Sequence, residues 1–574
     1  MNRVLIAAGL FGAGVLGLSR VSLGHGGTYR GPEDLVPPHA GNPNPGSPGP
    51  FAGGPATPGH SPPGPSTPGP SSPGGRPGPS TPGGGGFGPK TGGGSDLGPP
   101  LDRWQFWWEF NRDPFLNLKE RTHTPVVVTG SDDLLGKRSA GRARDTLRPI
   151  PDQIQRIVVP LLLESLKNEK NREVLDSSMI ALAKIGGEDA YVEAIAPFLK
   201  DNNTTLVETA AVSLGILAHP GALAILKDLS LDTPAGRSLV GRNEVPFRVR
   251  SFAVYGLGLL ANAVADANVR QEVASTLLKL VKEEKSSAKD IRVGATICLG
   301  LFDDPEQDRA LSAMLDLFDN RSEDELVRAH VPVAVAKALN LRGAPALLVA
   351  KCVEKFSKAI EDRAEKKERV KESCVLALGL LTDPKSPHYG DVVKVLERTL
   401  QEAPEQTQDF AAIALGFAGG DDAVKALRRS LFKGKTIVKP WAGLSLGVLA
   451  YRDRTSKRAE KIKDLEGIVE DLTEAMKEEK NPEHASAYAL ALGLAGDLSA
   501  HESLAKKMSE TRDDESRGYF CLGLGLLGDQ ESRDLLHKEV KDSVREPLLL
   551  QQAAIGLGLL SDQSAVPVLL EILK

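Results

Sequence analysis

The chain has 574 residues, a formal net charge of −5, 25% charged residues and 5% aromatic residues. A length of this size is typical of several domains. The near-neutral charge argues against bulk affinity for nucleic acid, and four cysteines exclude a fold built from disulfides. The 59 glycines and 40 prolines are unevenly distributed, so the chain consists of segments of different composition.

Residues 1–24 have the pattern of an export signal. Arg3 supplies a positive charge, residues 4–18 are apolar apart from glycine, and Ser22-Leu23-Gly24 offers small residues for cleavage. The apolar run is shorter than the ~20 residues that span a bilayer. We therefore predict a cleaved signal and an extracytoplasmic protein, periplasmic or secreted, with an uncleaved N-terminal anchor as the alternative.

Residues 25–100 are predicted to be a disordered linker rich in proline and glycine. Within residues 41–100, 18 positions are Pro and 20 are Gly, and such a composition cannot bury a core. The glycines lack the every-third-residue spacing of collagen. A linker of this kind separates a folded body from a membrane, a wall or a partner.

Residues 101–150 combine an aromatic segment with a basic connector. Trp104, Trp107 and Trp108 follow Asp102, a favourable helix N-cap. Either this helix docks on the first repeat of the following region and covers its apolar end, or it exposes an aromatic surface to a protein, glycan or membrane. Docking is favoured because a large exposed aromatic area promotes aggregation. Residues 126–128 suggest a short strand, and residues 137–148 carry a net charge of +4.

From Pro151 onward one sequence pattern recurs: a predicted helix that ends in small-x-Leu-Gly, then a turn and a second amphipathic helix. The glycine of this pattern serves as a register mark in each unit. In two units another residue, Lys184 or Ala338, stands at the glycine position. Eleven units follow at intervals of 31 to 46 residues. The marks are Lys184, Gly215, Gly258, Gly300, Ala338, Gly379, Gly416, Gly447, Gly493, Gly525 and Gly558.

The recurring glycine implies close packing of helices. Gly inside a helix is unfavourable by ~0.5–1 kcal/mol relative to Ala, so tertiary contacts must compensate for it. The residue two positions before each mark from Gly215 on is always small, as in Ser213, Ala377 and Ala414. Small residues at both positions predict that successive first helices stack with their backbones close together.

The turns between helices have recognisable signals. Gly186, Gly419, Gly496 and Gly528 occupy positions where a glycine ends a helix. Asp383-Pro384, like Asp304-Pro305, predicts a second helix with proline at its first position.

Units such as residues 557–570 resemble HEAT repeats, particularly the short variety of phycobilisome lyases. The segments 25–32 and 104–111 are similar to exported HEAT-repeat proteins of planctomycete-type bacteria. The resemblance covers residues 151–574 and implies an α-solenoid that binds proteins along a concave face formed by second helices. It also leaves a second class open, an enzyme or metal-binding protein like the bilin lyases or deoxyhypusine hydroxylase.

Three patterns that match catalytic or metal-binding motifs are interpreted as structural. Gly443-Leu-Ser445-Leu-Gly447 has the letters of a nucleophile elbow but lacks the preceding strand. Gly523-x-Gly525-x-x-Gly528 ends a helix, whereas a dinucleotide loop opens one. Of the His-Glu pairs that hold iron in deoxyhypusine hydroxylase, only His501-Glu502 occurs. We therefore predict no catalytic residue, cofactor or metal.

Two of the four cysteines, Cys352 and Cys374, lie on neighbouring predicted helices. Export permits a disulfide between them, and buried free thiols are the alternative.

Residues 421–464 form the most basic region, with twelve basic and five acidic side chains. This region is either a binding patch for an acidic protein, polysaccharide or phosphate, or a solvated helix flank. Nucleic acid is not expected as a partner. The candidate binding residues, with the three tryptophans above, are Arg428, Arg429, Lys433, Lys435 and Lys439.

The sequence thus predicts an all-α protein. Its body is an α-solenoid of about eleven HEAT-like helix pairs at residues 151–574. A signal, a disordered linker and the aromatic segment precede this body. The expected function is non-enzymatic protein binding by an exported scaffold. A membrane- or wall-associated structural protein that retains its signal is the alternative.

Overall fold

The computed structural model describes residues 103–117, 151–283, 289–303, 307–455, 462–562 and 564–572. The predicted signal, the linker, the strand at 126–128, the basic connector and Asp304-Pro305 lie outside these residues. Among the described helices, none has the length and hydropathy needed to cross a membrane.

The described residues form 26 α-helices of four or more residues and no β-strand. In chain order these helices are α1 (Trp104–Asn111), α2 (Asp113–Leu116), α3 (Val159–Asn168), α4 (Arg172–Ile185), α5 (Asp189–Ile195), α6 (Thr204–Leu217), α7 (Ala222–Ser230), α8 (Pro234–Val240), α9 (Phe247–Ala263), α10 (Ala267–Glu283), α11 (Lys289–Leu299), α12 (Gln307–Asp319), α13 (Glu325–Arg342), α14 (Ala346–Glu361), α15 (Glu368–Leu381), α16 (Tyr389–Glu402), α17 (Glu405–Ala418), α18 (Gly420–Lys433), α19 (Lys439–Thr455), α20 (Leu465–Glu478), α21 (Pro482–Ala495), α22 (His501–Glu510), α23 (Asp514–Leu527), α24 (Arg533–Asp542), α25 (Pro547–Leu559) and α26 (Ala565–Ile572).

These helices confirm the predicted all-α solenoid. Every register mark lies in the first helix of a pair, except Gly300, which directly follows α11. The first helices are α4, α6, α9, α11, α13, α15, α17, α19, α21, α23 and α25. Each is followed by one second helix that ends its pair, with the short α8 as an addition to the second pair.

The first helices stack along their neighbours through the predicted small residues. Eight units have a glycine as their mark and are followed by another unit. In seven of these, a Cβ atom added to the glycine would contact the small residue that lies two positions before the mark of the next unit. At Gly215 this added atom would lie 2.2 Å from the Cα of Gly256, and at Gly525 it would lie 2.6 Å from the Cα of Gly556. The glycines therefore let backbone meet backbone.

The second helices pack in a different way. They contact the first helices of their own units extensively but touch one another only sparsely. In α18 the buried residues lie along one stripe that includes Val424 and Leu427, whereas in α17 almost every residue is buried. The solenoid thus has one tight layer, whose inner helices are almost fully buried, and one looser amphipathic layer.

The turns confirm most of the predicted helix ends. Gly186, Gly419, Gly496 and Gly528 have φ between +70° and +83°, a conformation that glycine adopts without strain. The prediction at Asp383-Pro384 is wrong because α16 begins only at Tyr389. Asp383 accepts a hydrogen bond from the backbone N–H of Lys385 at 2.8 Å, so this pair makes a turn and not a helix start.

Arginines near the starts of first helices connect consecutive units. Nε of Arg250, Arg292 and Arg328 donates to the carbonyls of Ser230, Val281 and Phe318, respectively, each at 3.0 or 3.1 Å. These carbonyls belong to the ends of the preceding second helices, where backbone acceptors lack intrahelical partners. The arginines therefore cap one unit while starting the next.

Candidate functional site

The aromatic segment, residues 103–117, packs on first helices near the C-terminal end of the solenoid. The ring of Trp104 lies 4.8 Å from that of Tyr519 in α23, and Phe115 lies 5.1 Å from Tyr451 in α19, measured between centroids. Trp104 is 1% exposed and Trp108 is fully buried. Trp108 also stacks on Phe115 at 5.6 Å.

Polar contacts join this segment to the two outer helices of a group of four first helices. The Tyr451 hydroxyl of α19 donates to the carbonyl of Pro114 at 3.2 Å, and the Gln552 amide in α25 donates to Glu109 at 3.3 Å. Residues 103 and 104 contact α21 and α23. We call the surface of α19, α21, α23 and α25 that contacts the segment the segment groove.

At the start of the segment, one arginine pairs with two consecutive units. Nε of Arg103 donates to Glu483 of α21 at 2.9 Å, and its Nη2 lies 3.7 Å from Glu515 of α23. The hydrogen bond to Glu483 holds the pKa of Arg103 above its ordinary value. Glu483 and Glu515 both lie ten residues before their register marks, so the repeat presents two carboxylates at equivalent positions.

The fit of the segment is incomplete in its polar groups. The indole nitrogens of Trp104 and Trp108 and the side-chain oxygen of Gln105 are buried without a hydrogen-bond partner among the described residues. A buried polar group left in this state costs about 1–3 kcal/mol. The aromatic contacts therefore hold the segment against an opposing polar penalty.

The location corrects one sequence prediction. Docking was expected on the first repeat, yet the described contacts of the segment are with the last four first helices. The resemblance also implied binding along second helices, whereas this face is formed by first helices. Sequence reasoning missed Glu483, Glu515, Tyr519 and Gln552. The recurrence of Glu483 and Glu515 ten residues before their marks was the available signal, whereas Tyr519 and Gln552 share only a position, six before theirs.

Trp107 differs from the other two tryptophans because it is only partly buried. It packs at the margin of the core, while Phe106 and Phe110 contact each other at 4.6 Å between ring centroids. This difference makes Trp107 a matched control for Trp104 and Trp108.

Of the five basic candidate residues, the two arginines form ion pairs with acidic side chains of neighbouring helices. Arg428 lies against Asp464 and Asp471, and Arg429 pairs with Glu397. These contacts surround a shallow groove between α18 and α20 that also includes Phe432 and Glu470.

Three lysines complete the set of candidate residues. Lys433 and Lys435 are exposed and Lys439 is half-buried. Arg428 and Arg429 therefore join neighbouring helices, and among the three candidate lysines the exposed charge lies on Lys433 and Lys435.

The residues of the apparent catalytic motifs lie inside packed first helices. The Ser445 side chain is fully buried, and its hydroxyl donates to the carbonyl of Trp441 at 2.7 Å. Gly523 and Gly525 face the backbones of Ala489 and Gly556. This packing fills the space that a substrate or a dinucleotide would need.

The four cysteines are free and buried. The disulfide considered between Cys352 and Cys374 is therefore not formed. Burial raises the pKa of Cys298, Cys352, Cys374 and Cys521 above the ordinary thiol value, which opposes the thiolate form that reactive cysteines require.

One cluster of side chains has the composition of a cation site. Ligand atoms of His501, Asp529 and Glu531 lie within 4.8 Å of one another. Nδ1 of His501 is hydrogen-bonded to Asp529. One unit later, His537 contacts Asp562 at 2.6 Å, and Arg533 also pairs with this carboxylate at 2.7 Å. A histidine–aspartate contact thus connects consecutive units in both places.

A second polar cluster lies between first helices near the middle of the solenoid. Glu372 is 1% exposed, and burial followed by repulsion from Glu368 raises its pKa to about 8. Thr407 of the next first helix faces the carboxyl group, yet neither carboxyl oxygen has a hydrogen bond of standard geometry within the described part of the chain. This carboxyl group is therefore predominantly neutral at pH 7.

Comparison with known proteins agrees with the repeat fold. The family profile for HEAT repeats matches residues 159–239. No curated protein sequence matches the chain.

Solved structures that resemble the chain include Kap121p, at 12% identity with a TM-score of 0.36. The match covers 81% of this chain and 52% of Kap121p, so the chain spans about half the length of that protein. Human deoxyhypusine hydroxylase is 19% identical, with a TM-score of 0.23 and coverage of 59% of this chain and 96% of that one. An engineered protein is 16% identical, with a TM-score of 0.30 and coverage of 70% and 99%, respectively.

Proposed function

We propose that the chain is a non-enzymatic protein-binding scaffold that acts outside the cytoplasm. The observation that carries this proposal is the docked segment, because it demonstrates that a face of first helices accommodates a short aromatic helix with matched charges. Extended solenoid surfaces suit this kind of binding. The structural roles of Ser445 and the four buried cysteines support a non-enzymatic function.

The proposed location rests on the N-terminal sequence and on its likeness to exported planctomycete-type HEAT proteins. N-terminal sequencing of the mature protein tests the signal. We expect a start at His25. A mature protein that begins before Val4 would contradict secretion and leave the uncleaved anchor, close to a membrane or wall, as the better description.

A quantitative pull-down from the extracytoplasmic fraction tests the scaffold. The full chain is compared with two charge-reversed chains, Lys433→Glu/Lys435→Glu in the exposed basic region and Glu483→Lys/Glu515→Lys in the segment groove. Loss of a partner with the first variant identifies an acidic protein or polysaccharide bound by lysines. Failure of the wild-type chain to enrich any protein or glycan would contradict the scaffold proposal.

Metal binding is the second candidate function, favoured by the cluster of His501, Asp529 and Glu531. Nitrogen and carboxylate ligands of this kind suit zinc. Isothermal titration of the full chain with ZnCl₂ tests it, with His501→Gln as the variant and His537→Gln as the matched control. A metal site requires that His501→Gln alone abolish binding. Equal heats for all three proteins would leave the cluster as a contact between units.

A further inference from the structure

The segment groove is formed by the last four first helices, but the residues that occupy it come from a different part of the chain. Residues 103–117 occupy it, although residues 118–150 and seven complete helix pairs separate the segment from α19 in sequence. The repeats themselves therefore provide the groove, and the occupant is a separate sequence element.

The occupant has the features of a short helical ligand. Trp104 and Trp108 lie four residues apart and present one helix face to the groove, followed after a turn by Phe115 and Leu116. Such i, i+4 anchors are typical of helices that bind in hydrophobic grooves. Arg103 adds a charged contact to Glu483 and Glu515 at the leading end.

The balance of contacts allows the segment to be exchanged. Burial of the large apolar side chains holds the segment in place. Three buried polar atoms of the segment, the two indole nitrogens and the oxygen of Gln105, lack partners among the described residues. A buried polar group without a partner opposes docking. A ligand with the same anchors and better hydrogen bonding would therefore bind more tightly.

We propose that the segment groove is a recognition site for a partner protein's aromatic helix that is preceded by an arginine, and that residues 103–117 are its intramolecular competitor. This inference rests on the proposed scaffold function and specifies its ligand. Release of the segment opens the groove, so partner binding is regulated by the chain's own N-terminal region.

A peptide with the sequence of residues 103–117 is the probe for this site. It carries a fluorescent label, and its binding to the full-length protein is followed by anisotropy. Three chains are compared: the wild type, a release variant Trp104→Ala/Trp108→Ala, and the control Trp107→Ala. We expect the release variant to bind the peptide at least tenfold more tightly than the other two. Equal affinity of all three chains would overturn the proposal.

Charge reversal tests the recognition itself. In the release variant, Glu483→Lys/Glu515→Lys should weaken peptide binding at least tenfold, and a peptide with Arg103→Glu should recover most of the loss. Binding unaffected by these changes would mean that the peptide adheres non-specifically, which contradicts the site. Circular dichroism monitors folding. If the release variant is unfolded, full-length Arg103→Glu replaces it, because Arg103 is partly exposed and outside the core.

The two proposals fail in distinguishable ways. Peptide binding without any partner in the pull-down would contradict the scaffold function but keep the groove as a peptide site. Partners whose recovery is unchanged by the release variant and by Glu483→Lys/Glu515→Lys would keep the scaffold and overturn the groove as its binding site.

Discussion

The first helices and the second helices of this solenoid both pack against their neighbours, but they do so with side chains of different size and polarity. First helices such as α17 and α21 are buried all round and meet their neighbours through Gly, Ala, Ser and Cys. Second helices such as α18 and α20 bury one stripe and expose a charged surface. Close approach needs small residues, whereas a solvated layer tolerates long charged ones.

This difference indicates where a substitution matters. A charge or an added methyl group in the first-helix layer is confined by backbone and cannot relax into water. The same change in the second-helix layer is accommodated by solvent. Matched substitutions in the two layers should therefore differ in their effect on stability.

Loss of a buried ion pair should produce the largest effect. Arg328 in α13 contacts Glu365 at 2.7 Å, and their side chains are 3% and 6% exposed. Arg328→Met leaves a buried carboxylate without its partner, so we expect the free energy of unfolding to fall by about 3–5 kcal/mol. Urea unfolding followed by circular dichroism measures this change.

Arg429→Met in the second-helix layer is the control for this prediction. Arg429 is 57% exposed where it pairs with Glu397, so its removal should lower the free energy of unfolding by less than about 1 kcal/mol. Similar losses at Arg328 and Arg429 would contradict the distinction between the layers.

Adding one methyl group to a register glycine should have the next largest effect. At Gly525 the new Cβ would lie 2.6 Å from the Cα of Gly556, so we expect Gly525→Ala to destabilise the protein by about 2–3 kcal/mol. Gly558 has the same register in the last unit but no atom within 4 Å of an added Cβ. Gly558→Ala should therefore stabilise it by about 0.5–1 kcal/mol. Calorimetry measures the change in unfolding temperature of both variants. Changes of the same sign would contradict the packing role of the register glycines.

Removal of the buried carboxyl group should stabilise the protein in a pH-dependent way. The unfolded chain releases the proton of Glu372 near pH 4.5, whereas the folded chain keeps it until the pKa of about 8. Between these values the unfolded state binds fewer protons, so the stability of the wild type falls as the pH rises. We expect Glu372→Gln to be more stable than the wild type by at least about 1 kcal/mol at pH 8, and by clearly less at pH 5.

Urea unfolding at the two pH values measures this gain, and Glu402→Gln is the control because Glu402 is exposed on a second helix. A destabilised Glu372→Gln variant at pH 8 would indicate that the ionised carboxylate is satisfied in the folded state.

The smallest effect is expected at the serine of the apparent nucleophile elbow. Ser445 occupies the column that holds Ala377 and Ala414 in other units, so Ser445→Ala should change the free energy of unfolding by at most about 0.5 kcal/mol. A fluorophosphonate probe for reactive serines should not label the wild type. Labelling that disappears in Ser445→Ala would contradict the structural role.

The repeat could be predicted because its signal is local and repeated. Small residues at the marks and two positions before them are needed wherever two backbones meet, and both requirements are visible in the sequence. The helix start after Asp383 was predicted wrongly because Asp and Pro favour turns as well as helix N-termini. Only the contacts of the following residues distinguish the two.

The sequence by itself determined the class of fold, the number of units and the residues at which first helices meet, because periodic packing leaves a periodic pattern. The tertiary structure alone decided that residues 103–117 lie on the last four first helices and that Glu483 and Glu515 face Arg103. It also decided that Glu372 is buried with neither carboxyl oxygen hydrogen-bonded in standard geometry among the described residues. These contacts join residues far apart in sequence, and their energies depend on which groups the folded chain removes from water.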